Sequence, residues 1–160
     1  MTRALLFATA ALALGACAAP EPAPQRSVGF EQTLDPSCYT VDLFQEVRIA
    51  EPNGDLPEEW NGYKGRWGGG AWAGEWCHDL YVLAVEPDGL VRLIETHAPY
   101  EPWGKRATAY RRTARIGEDG RLRLRYGRVE IEYWLEDGRL LGERREDGER
   151  HRIMMTRRSV

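Results

Sequence analysis

The sequence lacks the features that mark common enzyme and membrane classes. Cysteine and histidine are scarce, at three each in 160 residues, and no tight ligand spacing typical of zinc is present. No Gly-x-Ser-x-Gly motif marks a serine nucleophile, and no apolar run reaches the about 20 residues of a membrane-spanning helix. The arginines interleave with glutamates, so nucleic acid is not an expected partner. We therefore predict no catalytic residue, metal ligand or cofactor, and a hydrolase is the least favoured function.

The N-terminus has the layout of a secretory signal. Arg3 is followed by an apolar run over 4–14 and then by Leu14-Gly15-Ala16-Cys17. This tetrapeptide resembles the bacterial lipobox, which implies removal of residues 1–16 and attachment of diacylglycerol to Cys17. The alternative is an ordinary signal peptide with a chance cysteine. Since Ala18 rather than aspartate follows the cysteine, the resemblance implies an outer-membrane lipoprotein of the cell envelope that faces the periplasm.

The segment behind Cys17 predicts a tether and then an N-terminal region that leads into the folded domain. Residues 17–29 are rich in proline and predict an extended tether. Residues 30–60 predict a short helix near 36–48, where Asp35 and Pro36 resemble a helix start, and then a loop. Cys38 and Cys77 are the two remaining cysteines. In an oxidising compartment they predict a disulfide, and two buried free thiols are the alternative.

Residues 61–158 predict an all-β domain of short strands separated by turns. Asp-Gly pairs close four of these turns, at 87–89, 118–120, 136–138 and 146–148, and we expect each to be a three-residue hairpin. A meander of eight strands predicts one antiparallel up-and-down barrel, because closure removes exposed edges. A two-sheet β-sandwich is the alternative. The strands are predicted at about 64–72, 80–86, 90–97, 106–116, 121–126, 129–135, 139–145 and 149–157.

One hairpin predicts its own register. A two-residue turn at Gly127-Arg128 pairs 125 with 130 and 123 with 132, which joins arginine to glutamate on one face. The same turn pairs Leu124 with Ile131 and Leu122 with Tyr133 on the other face. We therefore expect the charged face outside and the apolar face inside.

The first predicted strand carries a short motif, Gly65-Arg66-Trp67. This motif resembles the Gly-x-Trp start of lipocalins and their calycin relatives, over roughly residues 57–158. The resemblance implies a ligand-binding barrel in which an arginine near its end, Arg157 or Arg158, packs across Trp67. Ligand binding rests here on analogy of fold.

The long loops of this meander gather at one end, which we call the open end. Extending the register with three-residue turns points Leu83 and Leu141 inward in the closed half and Tyr81 inward towards the open end. It also brings polar side chains and tryptophans together at the open end. These predicted ligand-binding residues are Glu95, His97, Arg112, Glu143, His151, Trp72, Trp76 and Trp103.

Three interpretations of this cluster stay open. The first is a site for a small polar ligand in a lipid-anchored binding module. The second is an internal salt-bridge plug, in a structural, interaction or inhibitor lipoprotein whose partner is an envelope protein. The third is a β-bulge that shifts the register by one residue and sends these side chains outside.

Overall fold

The computed structural model describes residues 38–41, 43 and 46–159, which form one closed antiparallel β-barrel. Each strand pairs with the next in chain order and the eighth pairs with the first. This topology confirms the predicted up-and-down barrel over a sandwich. The strands are β1 (Gly65–Trp72), β2 (Trp76–Val85), β3 (Leu90–His97), β4 (Thr108–Ile116), β5 (Leu122–Tyr126), β6 (Val129–Glu136), β7 (Arg139–Glu146) and β8 (Glu149–Arg158).

A short helix precedes the barrel, but it lies later in the chain than the predicted one. Helix α1 spans Glu58–Asn61, and the described residues between 38 and 48 are not helical. They run along the outer face of β2 and β3, where Thr40 shares a hydrogen bond of 2.7 Å with Thr96. The Ala50 amide also donates to the Leu83 carbonyl at 2.7 Å. These contacts with the sheet outweigh a helical spacing of apolar residues, because isolated short helices are marginal in water.

The predicted signal peptide, Cys17 and the tether at 17–29 lie outside the described residues. In the part of the chain that the structure describes, no helix is long and apolar enough to cross a membrane.

The base of the barrel is closed by the segment that follows α1. Tyr63 and Trp67 are buried there, and the Trp67 indole donates to the Tyr63 carbonyl at 2.8 Å. The Arg157 guanidinium lies 4.4 Å from the centre of the Trp67 ring and donates to the Gly62 carbonyl. Arg157 is therefore the arginine that packs across the tryptophan, one of the two positions expected from the sequence.

The four Asp-Gly turns are of two kinds. Those at 87–89 and 118–120 are three-residue turns as predicted, with closing hydrogen bonds between 86 and 90 and between 117 and 121. The other two are two-residue turns, because Glu136 pairs with Arg139 and Glu146 with Glu149. Their aspartates, Asp137 and Asp147, have φ of 49° and 51° and each precedes a glycine of positive φ. This is the type I′ geometry that matches strand twist.

The shorter turns correct the predicted register of β7. One residue fewer in the first turn moves β7 by one position, so Leu140, Gly142 and Arg144 face inward and the predicted Leu141 and Glu143 face outward. The second short turn restores β8, where 151, 153 and 155 face inward as predicted. The hairpin of β5 and β6 has the predicted register throughout.

A bulge changes which side chains face inward in the half of β2 that leads to the open end. The register between β2 and β3 shifts between Val82 and Ala84, so Leu80, Val82 and Val85 face the core. Tyr81 and Leu83, predicted inward, do not belong to the core. The extra residue of a bulge exchanges the two faces of a strand on one side of it, and no turn signal marks that position in the sequence.

Candidate functional site

The open half of the barrel interior holds a cluster of polar and aromatic side chains, which we call the open-end cluster. Strand alternation brings one or two members from each of the eight strands to the same interior. Most are almost completely buried. The members are Trp72, Trp76, His78, Glu95, His97, Arg112, Tyr126, Tyr133, Arg144 and His151.

A buried ion pair lies within this cluster. The Arg112 Nε donates to Glu95 Oε2 at 2.6 Å, and the Glu95 side chain is completely buried. The Arg112 guanidinium also stacks on the Tyr126 ring at 3.6 Å and lies 4.8 Å from the Tyr110 ring. Burial raises the pKa of Glu95 to about 7, although Arg112 acts in the opposite direction. The buried carboxyl group therefore binds a proton more readily than a carboxyl group in water does.

Two buried histidines form a hydrogen-bonded chain with a tyrosine. His78 Nδ1 lies 3.2 Å from His97 Nδ1, and His78 Nε2 lies 3.0 Å from the Tyr133 hydroxyl. Trp76 stacks on the His97 ring at 4.5 Å. Burial lowers the pKa of His97 to about 3 and that of His78 well below its usual range. Both imidazoles are therefore neutral at neutral pH, so one Nδ1 donates and the other accepts.

Glycine at position 142 leaves room for this chain. A Cβ atom there would lie 2.7 Å from Cδ1 of Tyr133 and 2.9 Å from Cγ2 of Ile153. The Tyr133 ring can therefore lie flat against β7 and place its hydroxyl group on His78.

A cavity of about 530 Å³ lies above the ion pair, at the mouth of the barrel. Its lining carries one carboxylate, Glu146, which pairs with Arg144. Lys105 and Arg106 make no ion pair with any described residue, and the Lys105 Nζ lies 5.8 Å from the centre of the Trp76 ring. A concave site lined by charge of one sign concentrates ions of the opposite sign. The cationic side chains of the lining are Lys105, Arg106, Arg112, Arg128 and Arg144.

Three buried polar atoms of the cluster have no hydrogen-bond partner among the described residues. They are Nε1 of Trp72, Oε1 of Glu95 and Nε of Arg144. Buried polar groups are normally paired, so each such atom calls for a partner that the barrel itself does not supply.

Seven of the eight predicted site residues lie at the open end. Glu95, His97 and Arg112 form the core of the cluster, and Trp103 lies 4.9 Å from His151 and 5.5 Å from Trp76, ring centre to ring centre. Trp72 lies 5.5 Å from His78. Whether these residues bind a ligand stays a prediction.

Glu143 is the exception and does not belong to the site. It lies on the outer face of β7, where it pairs with Arg145, Arg150 and Arg152. The two-residue turn at Asp137-Gly138 is the physical reason, because it moves β7 by one position relative to the expected register.

Four members of the cluster were missed by the sequence prediction. Arg144 takes the inward position expected for Glu143, and Tyr126 and Tyr133 extend the inward series of the β5–β6 hairpin. His78 was assigned to a loop at 73–79, but β2 begins at Trp76. The alternation of Trp76, His78 and Leu80 was the available signal for a strand there.

The predicted disulfide between Cys38 and Cys77 is present, with a Cα–Cα distance of 5.5 Å. Cys77 is the second residue of β2, next to Trp76 and His78 at the rim of the mouth. The bond therefore fastens the segment at 38–50 to the open end.

A second, larger groove of about 860 Å³ opens at the side of the barrel and reaches Arg112 and Tyr126 where β4 and β5 are not paired. Residues 46–50 form one wall, and residues of β2 to β5 form the other. In the described ranges, no group of three or more His, Cys, Asp or Glu side chains is placed to hold a metal ion.

Comparison with protein-family models, with curated proteins and with solved structures found no match. The open-end cluster and the N-terminal sequence are therefore the features that point to a function.

Proposed function

We propose that this protein is a lipid-anchored envelope lipoprotein whose barrel binds a small anionic molecule at its open end. The anchor part of the proposal comes from the resemblance of Leu14-Gly15-Ala16-Cys17 to a lipobox. Two acyl chains on Cys17 would hold the chain at a membrane, since each buried CH₂ contributes about 0.8 kcal/mol. The binding part comes from the mouth of the barrel.

The cationic lining of the mouth cavity is the observation that carries the binding proposal. Five cationic side chains line it. Arg112, Arg128 and Arg144 pair with Glu95, Asp147 and Glu146, which leaves Lys105 and Arg106 without an ion pair among the described residues. Its volume of about 530 Å³ falls in the usual range for sites of small molecules, about 300–1,000 Å³. Arg144, whose Nε has no hydrogen-bond partner among the described residues, lines the same cavity.

A plugged barrel that acts through a protein partner is the second candidate. The buried Arg112–Glu95 pair favours it, because such a pair can satisfy the interior without a ligand. The three buried polar atoms without a partner among the described residues favour the ligand site instead, because in a self-contained plug such atoms are expected to be paired with each other or with the barrel.

A thermal-shift screen of the full chain tests the binding proposal. We expect organic acids or phosphate esters to stabilise the protein and their uncharged counterparts to have no effect, because the lining is cationic. Replacing Lys105 and Arg106 with glutamate should weaken binding of the responding anion at least about tenfold, since charge reversal at a site costs a few kcal/mol.

The matched control carries the same change of charge elsewhere. Arg92→Glu with Arg115→Glu alters two exposed positions on the outer side of β3 and β4. This variant should bind the anion as the wild type does. A response to neutral compounds alone, or an equal loss in both double variants, would contradict a site at the mouth, and no response to any class would favour the plugged barrel.

The anchor is tested separately by metabolic labelling with palmitate in a Gram-negative host. We expect label on the wild-type chain and sedimentation of the protein with membranes. Cys17→Ser should abolish both, because this substitution removes the only thiol that a lipobox cleavage would leave at the new N-terminus. Label that persists in Cys17→Ser would refute the lipobox.

A further inference from the structure

The ligand-accessible guanidinium of the mouth is already occupied from within. Arg112 lines the mouth cavity, and its Nε is bonded at 2.6 Å to the buried carboxylate of Glu95. An anion that binds Arg112 from the cavity must therefore compete with the Glu95 carboxylate for the guanidinium group. The other oxygen of that carboxylate, Glu95 Oε1, has no partner among the described residues.

We propose that the open end binds a small aromatic monocarboxylate, which takes Arg112 from Glu95 while Glu95 takes up one proton. This inference rests on the proposed function, since it names the ligand class and the coupling of the same site. The Glu95 carboxylate thus takes the position on Arg112 that the carboxylate of the ligand would take.

The walls around Arg112 argue for an aromatic ligand. The Tyr126 ring lies 3.6 Å from the guanidinium carbon and the Tyr110 ring 4.8 Å, and Trp76 lines the same cavity. Tyr110 is nearly half exposed, at 46%, which is unusual for a large ring on an inward strand position. Planar aromatic rings pack well against such surfaces. A ligand with a ring and one carboxylate satisfies both the rings and the guanidinium.

Because Glu95 is buried, ligand binding to Arg112 requires that Glu95 takes up a proton. If Arg112 turns to the ligand, an ionised Glu95 is left buried without its ion pair, which is strongly unfavourable. Uptake of a proton removes that charge and turns the unpartnered oxygen into a possible donor. The exchange balances: a ligand anion and one proton enter, Arg112 changes its carboxylate, and the net charge of the site is unchanged.

The histidines and tyrosines around Glu95 whose pKa values are shifted by burial are all shifted away from the range of Glu95. The titratable and charged groups around Glu95 come from five other strands and from β3 itself: His78, His97, Tyr110, Arg112, Tyr126, Tyr133 and Arg144. Burial lowers the pKa of His97 to about 3 and that of His78 well below its usual range, so both stay neutral. Burial also raises the pKa of Tyr126 to about 12 and that of Tyr133 well above its usual range. The coupled proton therefore belongs to Glu95.

Benzoate is the probe, and its binding to the full chain is measured by calorimetry from about pH 5.5 to about pH 9. In the folded protein without benzoate, burial raises the pKa of Glu95 to about 7. We therefore expect the affinity for benzoate to be nearly constant below about pH 6. Above about pH 7.5 it should fall about tenfold per pH unit. At pH 8, buffers of different ionisation enthalpy should report uptake of about one proton per benzoate.

Glu95→Gln is the deciding variant, because glutamine keeps the shape of the side chain and cannot titrate. It should bind benzoate with the same affinity across the range, and at pH 8 about tenfold more tightly than the wild type. The measurements are repeated in a His151→Gln background, since His151 is the third histidine of the open-end cluster. Benzamide, which lacks the charge, and cyclohexanecarboxylate, which lacks the aromatic ring, should bind more weakly than benzoate.

The outcomes separate this inference from the proposed function. Benzoate binding without proton uptake, or with the same pH dependence in Glu95→Gln, would overturn the coupling and leave an anion site. Binding of phosphate esters but not of benzoate would overturn the ligand class alone. If no anion binds at any pH, the proposed function itself fails. Near-ultraviolet circular dichroism checks that each variant is folded at the pH of measurement.

Discussion

Replacing Arg112 with methionine is expected to lower the free energy of unfolding at about pH 8 by about 3 kcal/mol, and at about pH 5.5 by about 1.4 kcal/mol less than that. The change removes one partner of a buried ion pair and leaves the other, Glu95, completely buried. Methionine fills much of the volume of the arginine stem, so the loss does not come from a cavity. The Arg112 side chain is itself 22% exposed, which keeps the effect at the lower end of the range for buried pairs.

The pH dependence follows from the direction of the Glu95 shift. Its pKa is raised from 4.5 to about 7 in the folded protein, so between these values the folded state binds a proton that the unfolded state releases. The stability contributed by the protonated carboxyl is complete below about pH 4.5 and is lost as pH rises through about 7. Without Arg112 the pKa of Glu95 rises further, so the folded variant keeps losing stability at a pH where the wild type has reached its plateau.

Urea unfolding at the two pH values measures this difference. The double variant Glu95→Gln with Arg112→Met should recover most of the loss at pH 8, because no buried charge remains. At pH 5.5 the single and double variants should differ little. Equal destabilisation of Arg112→Met at both pH values, or no recovery in the double variant, would show that Glu95 is not the group left without its partner.

The barrel itself could be predicted from the sequence because its signals are local. Asp-Gly pairs at regular intervals mark the turns, and the hairpin of β5 and β6 sorts Arg123 and Glu132 onto one face and Leu124 and Ile131 onto the other. Each of these signals lies within a few residues of the structure that it determines. The closed topology follows from their order along the chain.

The site was predicted less completely, because the facing of a side chain depends on counting residues through every turn and bulge. Asp137-Gly138 and Asp147-Gly148 form two-residue turns where three-residue turns were expected, which places Arg144 inside and Glu143 outside. The bulge near Leu83 depends on packing of β2 against β3 and the segment at 46–50, which no local pattern reveals. Glu95, His97 and Arg112 were placed correctly because the turns next to their strands have the expected length.

Removing the Cys38–Cys77 disulfide is expected to lower the free energy of unfolding by about 4 kcal/mol. The two cysteines are 39 residues apart in sequence, and a cross-link over a loop of this length removes many conformations from the unfolded chain. In the folded protein the segment behind Cys38 has further contacts with the sheet, including the hydrogen bond of Thr40 to Thr96. These contacts alone must hold the segment once the bond is gone.

The double variant Cys38→Ser with Cys77→Ser and the wild type in reductant should lose the same stability by urea unfolding. Thr40→Val is the matched control, because it removes one contact of the same segment and keeps the cross-link, and it should cost only about 1 kcal/mol. An unchanged unfolding midpoint in reductant, or an equal loss in Thr40→Val, would contradict a stabilising cross-link.

The double serine variant also tests whether the binding site depends on the disulfide. Cys77 lies between Trp76 and His78 in sequence, but its side chain points away from theirs, and the backbone of β2 is paired to both β1 and β3. The interior of the mouth should therefore survive the loss. We expect the double serine variant to bind a mouth anion within about twofold of the wild type, although about 4 kcal/mol of stability is gone. A parallel loss of anion affinity, measured below the unfolding transition, would instead mean that the fastened segment helps to shape the rim.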